Sequence, residues 1–331
     1  MKDGIFTFFE SNDCWCFQQG SFLQFKYGSS DDVFYNIYDK ADGEYKTVKR
    51  KLSDGKVETF DGASATVSRD GRYGLSVNFN RIWDFRPGYG YCNTKDPYFD
   101  FPLPSEDGIF LCDFLAGTKK LIIDYKRMLK EFPIEGKENA KFVVNHITFN
   151  PSGNRFLFLL RDFPQAGSSK WWSTSLITAD LKGNMRMVCK DTMVSHYWWA
   201  DDKTIIAYCQ PNGADKWGVY SINESDGSFV NICGDFSDIS RDIHCSLSPN
   251  GKYLIGDGYP DAEGYRHIWI KNLQSGRSSI LLSSKTIVPD VEDIRCDLHA
   301  RFNPDGSKIS FDSFHRGKRD ICEIDMIGFN L

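Results

Sequence analysis

Four of the six histidines in this sequence recur at nearly constant spacing. His146, His196, His244 and His299 are separated by 50, 48 and 55 residues, and each stands at the head of a similar segment. Imidazole is suited to proton transfer near neutral pH and to binding metals such as zinc. If the spacing is that of a structural repeat, the four side chains come from successive copies and converge on one point. We therefore expect proton-transfer chemistry or a metal site; the alternative is that each imidazole bonds the backbone of the neighbouring repeat.

The histidines accompany a repeated pattern of two apolar runs joined by a tight polar turn. The pattern occupies residues 65–77, 147–159, 245–257 and 300–312, with a weaker copy at 197–208. Asp-Gly, Asn-Gly or Ser-Gly at the turn, flanked by β-branched and aromatic residues, is typical of a β-hairpin. Short strands that repeat every 40 to 50 residues or so predict a β-propeller.

The predicted fold is all-β, a β-propeller of four-stranded antiparallel blades in a single domain over residues 1–331. Six blades are visible, at about 17–60, 63–125, 140–190, 193–233, 240–283 and 294–331. The last ends after its third strand, so Ile5–Phe9 is the candidate strand that closes the ring. A seventh blade upstream of this sequence is the alternative. Asp124–Phe132 predicts one or two helical turns, and the second blade carries a long insertion after Asn78.

Composition excludes some classes of function. A net charge of -5 argues against nucleic-acid binding, which requires clustered Lys and Arg. We see no signal peptide and no membrane-spanning segment, and ten cysteines without an export signal are typical of reduced thiols. These observations predict a cytoplasmic protein.

In an up-and-down blade, the loops between the second and third strands lie on the same face as the start of each first strand. Those loops are long here, and binding residues concentrate on loops carried by a rigid scaffold. On that face we expect His146, His196, Tyr89 and Arg86 to be catalytic. We expect Arg161, Arg295, Arg316 and Tyr259 to bind an anionic substrate such as a uronic acid. His244, His299, Cys296 and His315 are the candidate ligands of a divalent cation.

Roughly residues 140–326 resemble the propeller polysaccharide lyases, most of all the oligogalacturonate lyases and less closely the ulvan lyases. The resemblance rests on NHITFNPSGNRFLFLLR, VSHYWW, DIHCSLSPNGKYLIGDGYPD and RCDLHARFNPDGSKISFDSFHRG. The hairpin turns alone also occur in TolB-like propellers. The histidines that begin the strands are the more specific part of the resemblance.

This resemblance implies a lyase that cleaves uronic-acid-containing oligosaccharides by β-elimination, with manganese held by histidines. It implies His244 and His299 as metal ligands and His196 as an active-site histidine. The lyases have a Gln and two closely spaced histidines in the last motif, whereas this chain has Cys296, His299 and Arg301. The departure leaves zinc, another cation or no metal as the alternatives to manganese. The alternative function is a non-catalytic TolB-like propeller that binds an anionic glycan or a protein partner.

Overall fold

The strands of the protein form six antiparallel sheets, seen in a computed structural model that describes residues 9–163, 172–233, 242–286 and 295–331. In each sheet the strands follow one another in chain order, so every connection within a sheet is a hairpin or a longer loop. The chain divides into two compact units, Met1–Met128 and Leu129–Leu331. The first unit contains two sheets and the second contains four.

The first unit consists of sheets I and II. Sheet I contains β1 (Gln24–Phe25), β2 (Asp32–Asp39), β3 (Glu44–Lys51) and β4 (Val57–Asp61). Sheet II contains β5 (Ser64–Val67), β6 (Tyr73–Ser76), β7 (Gly108–Asp113) and β8 (Thr118–Asp124). The two sheets lie within the first two predicted blades, at about 17–60 and 63–125.

The insertion between β6 and β7 contains a helix that the sequence analysis treats as a loop. Helix α1 spans Phe79–Phe85, and a short 3-10 helix follows at Pro87–Tyr89. The side chain of Asn78 caps α1 by accepting a hydrogen bond from the backbone N–H of Arg81 at 3.0 Å. The helix is short because Pro87 follows closely and lacks an N–H. The helix expected near Asp124–Phe132 is present as α2, Tyr125–Glu131.

The second unit contains sheets III to VI. Sheet III contains β9 (Phe142–Phe149), β10 (Arg155–Asp162), β11 (Thr174–Asp180) and β12 (Met185–Thr192). Sheet IV contains β13 (Val194–Trp199), β14 (Thr204–Cys209), β15 (Gly218–Asn223) and β16 (Phe229–Asn231). Sheet V contains β17 (His244–Leu247), β18 (Tyr253–Asp257), β19 (Tyr265–Asn272) and β20 (Ser278–Lys285). Sheet VI contains β21 (Arg301–Phe302), β22 (Lys308–Ser313) and β23 (Asp320–Asp325).

Sheet VI has three strands within the described residues. The predicted closing strand Ile5–Phe9 falls, except for Phe9, outside the described residues. Among the residues that the structure describes, no helix has the length and apolar character needed to span a membrane.

Apolar side chains fill the space between consecutive sheets of the second unit. Ile206 and Val219 of sheet IV pack with Leu254 and Trp269 of sheet V, and all four are buried. The first strands of neighbouring sheets also contact each other: β13 contacts β17, and β17 contacts β21. Burial of both faces explains why the middle strands are nearly continuous apolar runs. The contact between first strands brings residues far apart in sequence to one place.

Candidate functional site

The strands that carry the histidines are locally irregular. The pairing of β9 with β10 shifts register between Thr148 and Asn145, and β13 shifts relative to β14 between Val194 and His196. A bulge of this kind redirects side chains at that point of a strand. His146, His299 and Asp242 have φ angles of 48°, 44° and 57°. Left-handed backbone is unfavourable for non-glycine residues and is concentrated at functional sites.

The four periodic histidines lie in one row, in chain order. The ring centroids of His146 and His196 are 6.5 Å apart, those of His196 and His244 are 3.8 Å apart, and those of His244 and His299 are 4.1 Å apart. All four side chains are half-buried. The structure therefore brings together imidazoles from four successive sheets, and each ring keeps some access to solvent.

Asp257, at the end of β18, connects two of these histidines. Its Oδ1 lies 2.8 Å from Nδ1 of His244, and its Oδ2 accepts a hydrogen bond from the backbone N–H of His299 at 2.8 Å. The side chain of Asp257 is fully buried. Burial opposes its ionisation, but His244 and His299 outweigh burial and hold the pKa of this carboxyl below its usual range. Asp257 is therefore a buried anion shared by two sheets.

A second carboxylate, Asp242, faces His196. Its Oδ1 lies 3.2 Å from Nε2 of His196, a contact close enough for an ion pair but not aligned as a hydrogen bond. Burial and the nearby His244 lower the pKa of His196 below its ordinary value, and Asp242 only partly offsets them. The imidazole of His196 is therefore neutral at neutral pH and has a lone pair that can accept a proton.

A third carboxylate, Asp297, is held by two arginines. Its Oδ1 accepts hydrogen bonds from Nε of Arg295 at 2.9 Å and lies 2.8 Å from a terminal nitrogen of Arg266. All three side chains are buried. The other oxygen, Oδ2, is buried without a hydrogen-bond partner among the described residues. An unpaired carboxylate oxygen in the interior is costly, which indicates that a further group completes the site.

One oxygen of Asp297 and ring nitrogens of His244 and His299 all lie within 4.8 Å of one another. Two imidazole nitrogens and a carboxylate oxygen form a donor set suited to a divalent transition metal such as zinc or manganese. Because Nδ1 of His244 faces Asp257, Nε2 is the nitrogen left for a cation. The donor atoms and the unpaired Oδ2 therefore fit the cation that the sequence analysis expects.

Protonation of the two candidate ligand histidines differs. Burial alone would lower the pKa of His244, but Asp257 and Asp297 outweigh it and the pKa is raised. Burial and the nearby His244 lower the pKa of His299 to about 3. His299 is therefore available as a neutral ligand, whereas His244 gives up a proton when a cation binds.

The other two predicted metal ligands lie outside this group. Cys296 is buried, and burial raises the pKa of its thiol to about 11. A thiol with that pKa is protonated at neutral pH and is a poor ligand. His315 is exposed, and its Nδ1 lies 2.8 Å from Oγ of Ser313. Asp297 stands where the sequence analysis expected Cys296.

The predicted substrate-binding residues are in different environments. Tyr259 lies beside two guanidinium groups, with its ring 5.6 Å from Arg266 and 5.3 Å from Arg295. Arg161 is buried and contacts the backbone of Val194. Arg316 is exposed and pairs with Asp320. The structure thus brings Arg295 and Tyr259 to the histidine row, while Arg316 lies on an exposed turn.

The predicted catalytic residues Arg86 and Tyr89 belong to the first unit. Arg86 ends helix α1, and its guanidinium lies 4.5 Å from the centroid of the Tyr89 ring. Tyr89 is buried. The pair forms a stacked contact within the insertion of that unit.

Sequence reasoning did not assign a role to three carboxylates of the site: Asp242, Asp257 and Asp297. One signal was available, because Asp242-Ile243-His244 and Asp297-Leu298-His299 repeat the same Asp-x-His spacing at the start of neighbouring sheets. Asp257 pairs with His244 in the register of β17 and β18. That position is recognisable only once the hairpin register is known.

Three solved structures with similar folds are distant from this chain in sequence. An oligogalacturonate lyase from Vibrio parahaemolyticus has a TM-score of 0.57 at 13% identity, over 89% of this chain and 75% of that chain. The β-propeller domain of the Trilobed protease from Pyrococcus furiosus has a TM-score of 0.52 at 15% identity, over 92% and 80%. The Cps50 β-propeller domain of Myceliophteria thermophila has a TM-score of 0.52 at 13% identity, over 97% and 89%.

These likenesses and the six antiparallel sheets confirm the predicted fold class, a β-propeller. The resemblance to the propeller of an oligogalacturonate lyase holds at the level of the fold. No protein-family model matches the chain, and no curated protein matches it by sequence. The activity must therefore be argued from the site.

Proposed function

We propose that the chain is a lyase that cleaves uronic-acid-containing oligosaccharides by β-elimination, assisted by a divalent cation. The observation that carries this proposal is the histidine row with the unpaired Oδ2 of Asp297 at one end. A neutral imidazole at His196 and a cation-binding group lie next to each other, because His196 and His244 are 3.8 Å apart. β-Elimination requires such a pair, a base beside a group that neutralises a carboxylate.

The proposed cation ligands are Nε2 of His244, a ring nitrogen of His299 and Oδ2 of Asp297. A bound manganese or zinc ion would neutralise the uronate carboxylate and so make the adjacent C–H bond more acidic. Arg266 and Arg295 contact the other oxygen of Asp297, Oδ1. The two arginines also add positive charge beside the site, which favours an acidic oligosaccharide.

His196 is the proposed base. It would accept the proton from the carbon next to the carboxylate, while the bond from the neighbouring carbon to the glycosidic oxygen breaks and a carbon–carbon double bond forms. Asp242 stabilises the imidazolium that results, because its Oδ1 is 3.2 Å from Nε2 of His196. His146, whose ring lies 6.5 Å from that of His196, would return a proton to the departing oxygen.

Fold likeness supports this proposal without deciding it. The solved structure with a TM-score of 0.57 to this chain is that of an oligogalacturonate lyase. The other similar folds include propellers of a protease and of Cps50, so the fold itself is compatible with several functions. The histidine row is what favours a lyase.

The proposal is tested by incubating the protein with Mn²⁺ or Zn²⁺ and a panel of pectic and ulvan-type oligosaccharides, and following the ultraviolet absorbance of unsaturated uronate. We expect absorbance to rise on at least one substrate and the rise to be lost in His196→Ala. Binding of each oligosaccharide is measured in parallel. A different result would favour a non-catalytic propeller that recognises an anionic glycan. In that case an oligosaccharide binds without any rise in absorbance, and its affinity is unchanged in His146→Ala and His196→Ala.

A further inference from the structure

Asp257 is unusual among the carboxylates of the site because each of its oxygens contacts a different histidine. Oδ1 is 2.8 Å from Nδ1 of His244, and Oδ2 is 2.8 Å from the backbone nitrogen of His299. A fully buried carboxylate is tolerated only where it is paired and hydrogen-bonded. Both of its partners belong to the candidate cation site.

The contact with His244 determines which ring nitrogen is free. An ionised carboxylate only accepts hydrogen bonds, so Nδ1 of His244 must carry the hydrogen that faces Asp257. In the neutral ring the lone pair is then on Nε2. A carboxylate that holds the far nitrogen of a metal-binding histidine fixes its tautomer and orientation.

The contact with His299 acts on the backbone rather than on the ring. His299 has a φ of 44°, which is unfavourable for a residue with a side chain. The hydrogen bond from the backbone N–H of His299 to Asp257 holds the backbone at the residue with this left-handed conformation. The same carboxylate thereby sets the orientation of one imidazole and the position of the other.

We propose that Asp257 is a positioning residue that fixes the tautomer of His244 and its spacing from His299, and so prepares both rings for one divalent cation. This inference rests on the cation site of the proposed function. Asp242 has a different role, because its Oδ1 faces Nε2 of His196 at 3.2 Å.

The second unit offers a matched control in the same sheet. His267 is also paired with an aspartate, since its Nε2 lies 3.0 Å from Oδ2 of Asp261, and its Nδ1 lies 2.8 Å from Oγ of Ser283. Asp261 is partly exposed, and the pair does not belong to the cation-binding group. Asp261→Asn makes the same chemical change to an Asp–His pair away from the site.

The Asp257→Asn variant should weaken cation binding selectively. An asparagine has one acceptor oxygen, so it can serve the N–H of His299 or Nδ1 of His244 but not both. When the amide NH₂ faces Nδ1, His244 is driven to the tautomer with hydrogen on Nε2, which removes the ligand lone pair. Titration with Mn²⁺, following free Mn²⁺ by electron paramagnetic resonance, should show affinity reduced by about 10- to 100-fold. Asp261→Asn should bind Mn²⁺ within about 2-fold of the unmodified chain.

A second measurement needs no variant at Asp257. Long-range ¹H–¹⁵N correlation spectra of the cation-free chain report the tautomer of each histidine, with His244→Gln used to assign the signals. We expect hydrogen on Nδ1 of His244. Three results would each overturn the inference. They are hydrogen on Nε2 of His244 alone, an Mn²⁺ affinity of Asp257→Asn equal to that of the unmodified chain, and no binding of Mn²⁺ or Zn²⁺ by the unmodified chain. Selective loss of affinity in a chain that turns over no uronate would support the inference and reject the lyase proposal.

Discussion

The two units each bury a polar cluster at the first strand of a sheet, and the two clusters are completed differently. In the first unit, the side chain of Asn36 contacts Ser64 and Tyr91, while Oγ1 of Thr47 contacts Ser64 and the carbonyl of Gly62. The backbone N–H of Ser64 donates to Oδ1 of Asn36 at 2.9 Å. None of these side chains has a buried polar atom without a partner.

The cluster of the second unit retains unpaired atoms, and two of its members, His196 and Asp242, are more exposed than the first cluster. Oδ2 of Asp297, Nε2 of His196 and Oδ1 of Asp242 have no aligned hydrogen bond among the described residues. A satisfied network rigidifies a core, whereas unsatisfied groups gathered in one place indicate a ligand or a catalytic role. We infer that the first cluster stabilises its unit, and we propose that the second binds a ligand.

The largest expected effect is on the second cluster. His299→Ala removes a proposed ligand, and we expect the rate on a uronate substrate to fall by about 10³-fold, corresponding to roughly 4 kcal/mol of transition-state stabilisation. Because the side chain is half-buried, the midpoint of urea unfolding without added cation should change little. If His299→Ala kept the full rate, or lost rate only in proportion to its unfolded fraction, His299 would have no role in catalysis. The second cluster would then be structural, like the first.

Asn36→Ala tests the first cluster, where we expect a loss of stability rather than of cation binding. It removes three buried hydrogen bonds of the Asn36 side chain, those to the Ser64 N–H, the Ser64 carbonyl and the Tyr91 hydroxyl. Each such bond contributes about 1 kcal/mol. We expect the free energy of unfolding to fall by about 3 kcal/mol in urea titrations. Mn²⁺ affinity of the folded protein should stay unchanged, so a large loss of affinity would contradict the separate roles.

Asp107, in the first unit, should make stability depend on pH. Burial raises the pKa of its carboxyl from 3.8 to about 6 in the folded protein, although Asn78 donates a hydrogen bond to it. The folded state then binds the proton more tightly than the unfolded state. Stability is therefore highest at low pH as far as this group is concerned, and falls by about 2 to 3 kcal/mol as pH rises from roughly 4 to 6.

The measurement for Asp107 is urea unfolding at several pH values across that window. Asp107→Asn cannot titrate, so its slope of stability against pH should be flatter there than that of the unmodified chain. Identical slopes in the two proteins would show that Asp107 does not titrate in this range.

The smallest expected effect concerns Cys296, the ligand that the sequence analysis favoured. Its thiol lies outside the cation-binding group, so Cys296→Ala should change Mn²⁺ affinity by less than about 2-fold. Asp297→Asn is the informative partner, because it keeps the shape of the side chain but removes the charge. A stronger loss in Cys296→Ala than in Asp297→Asn, by isothermal titration calorimetry, would restore the cysteine as the ligand.

The features of the fold that depend on short stretches of sequence, the hairpin turns and the apolar strands, could be predicted. The hairpin turns and the histidine spacing indicated a β-propeller with six antiparallel blades, because turn chemistry and apolar alternation are local properties. Helix α1 was missed because its burial depends on packing within the insertion. Asp297 was missed because the tertiary packing that places its carboxylate beside His244 and His299 is not visible in the sequence.

The central claim is that the histidine row of the second unit holds one divalent cation through His244, His299 and Asp297. The most direct test is the metal content of purified protein dialysed against Mn²⁺ or Zn²⁺, measured by elemental analysis beside His299→Ala. The account predicts one ion per unmodified chain and almost none in the variant. No ion in the unmodified chain, or equal content in both proteins, would contradict it.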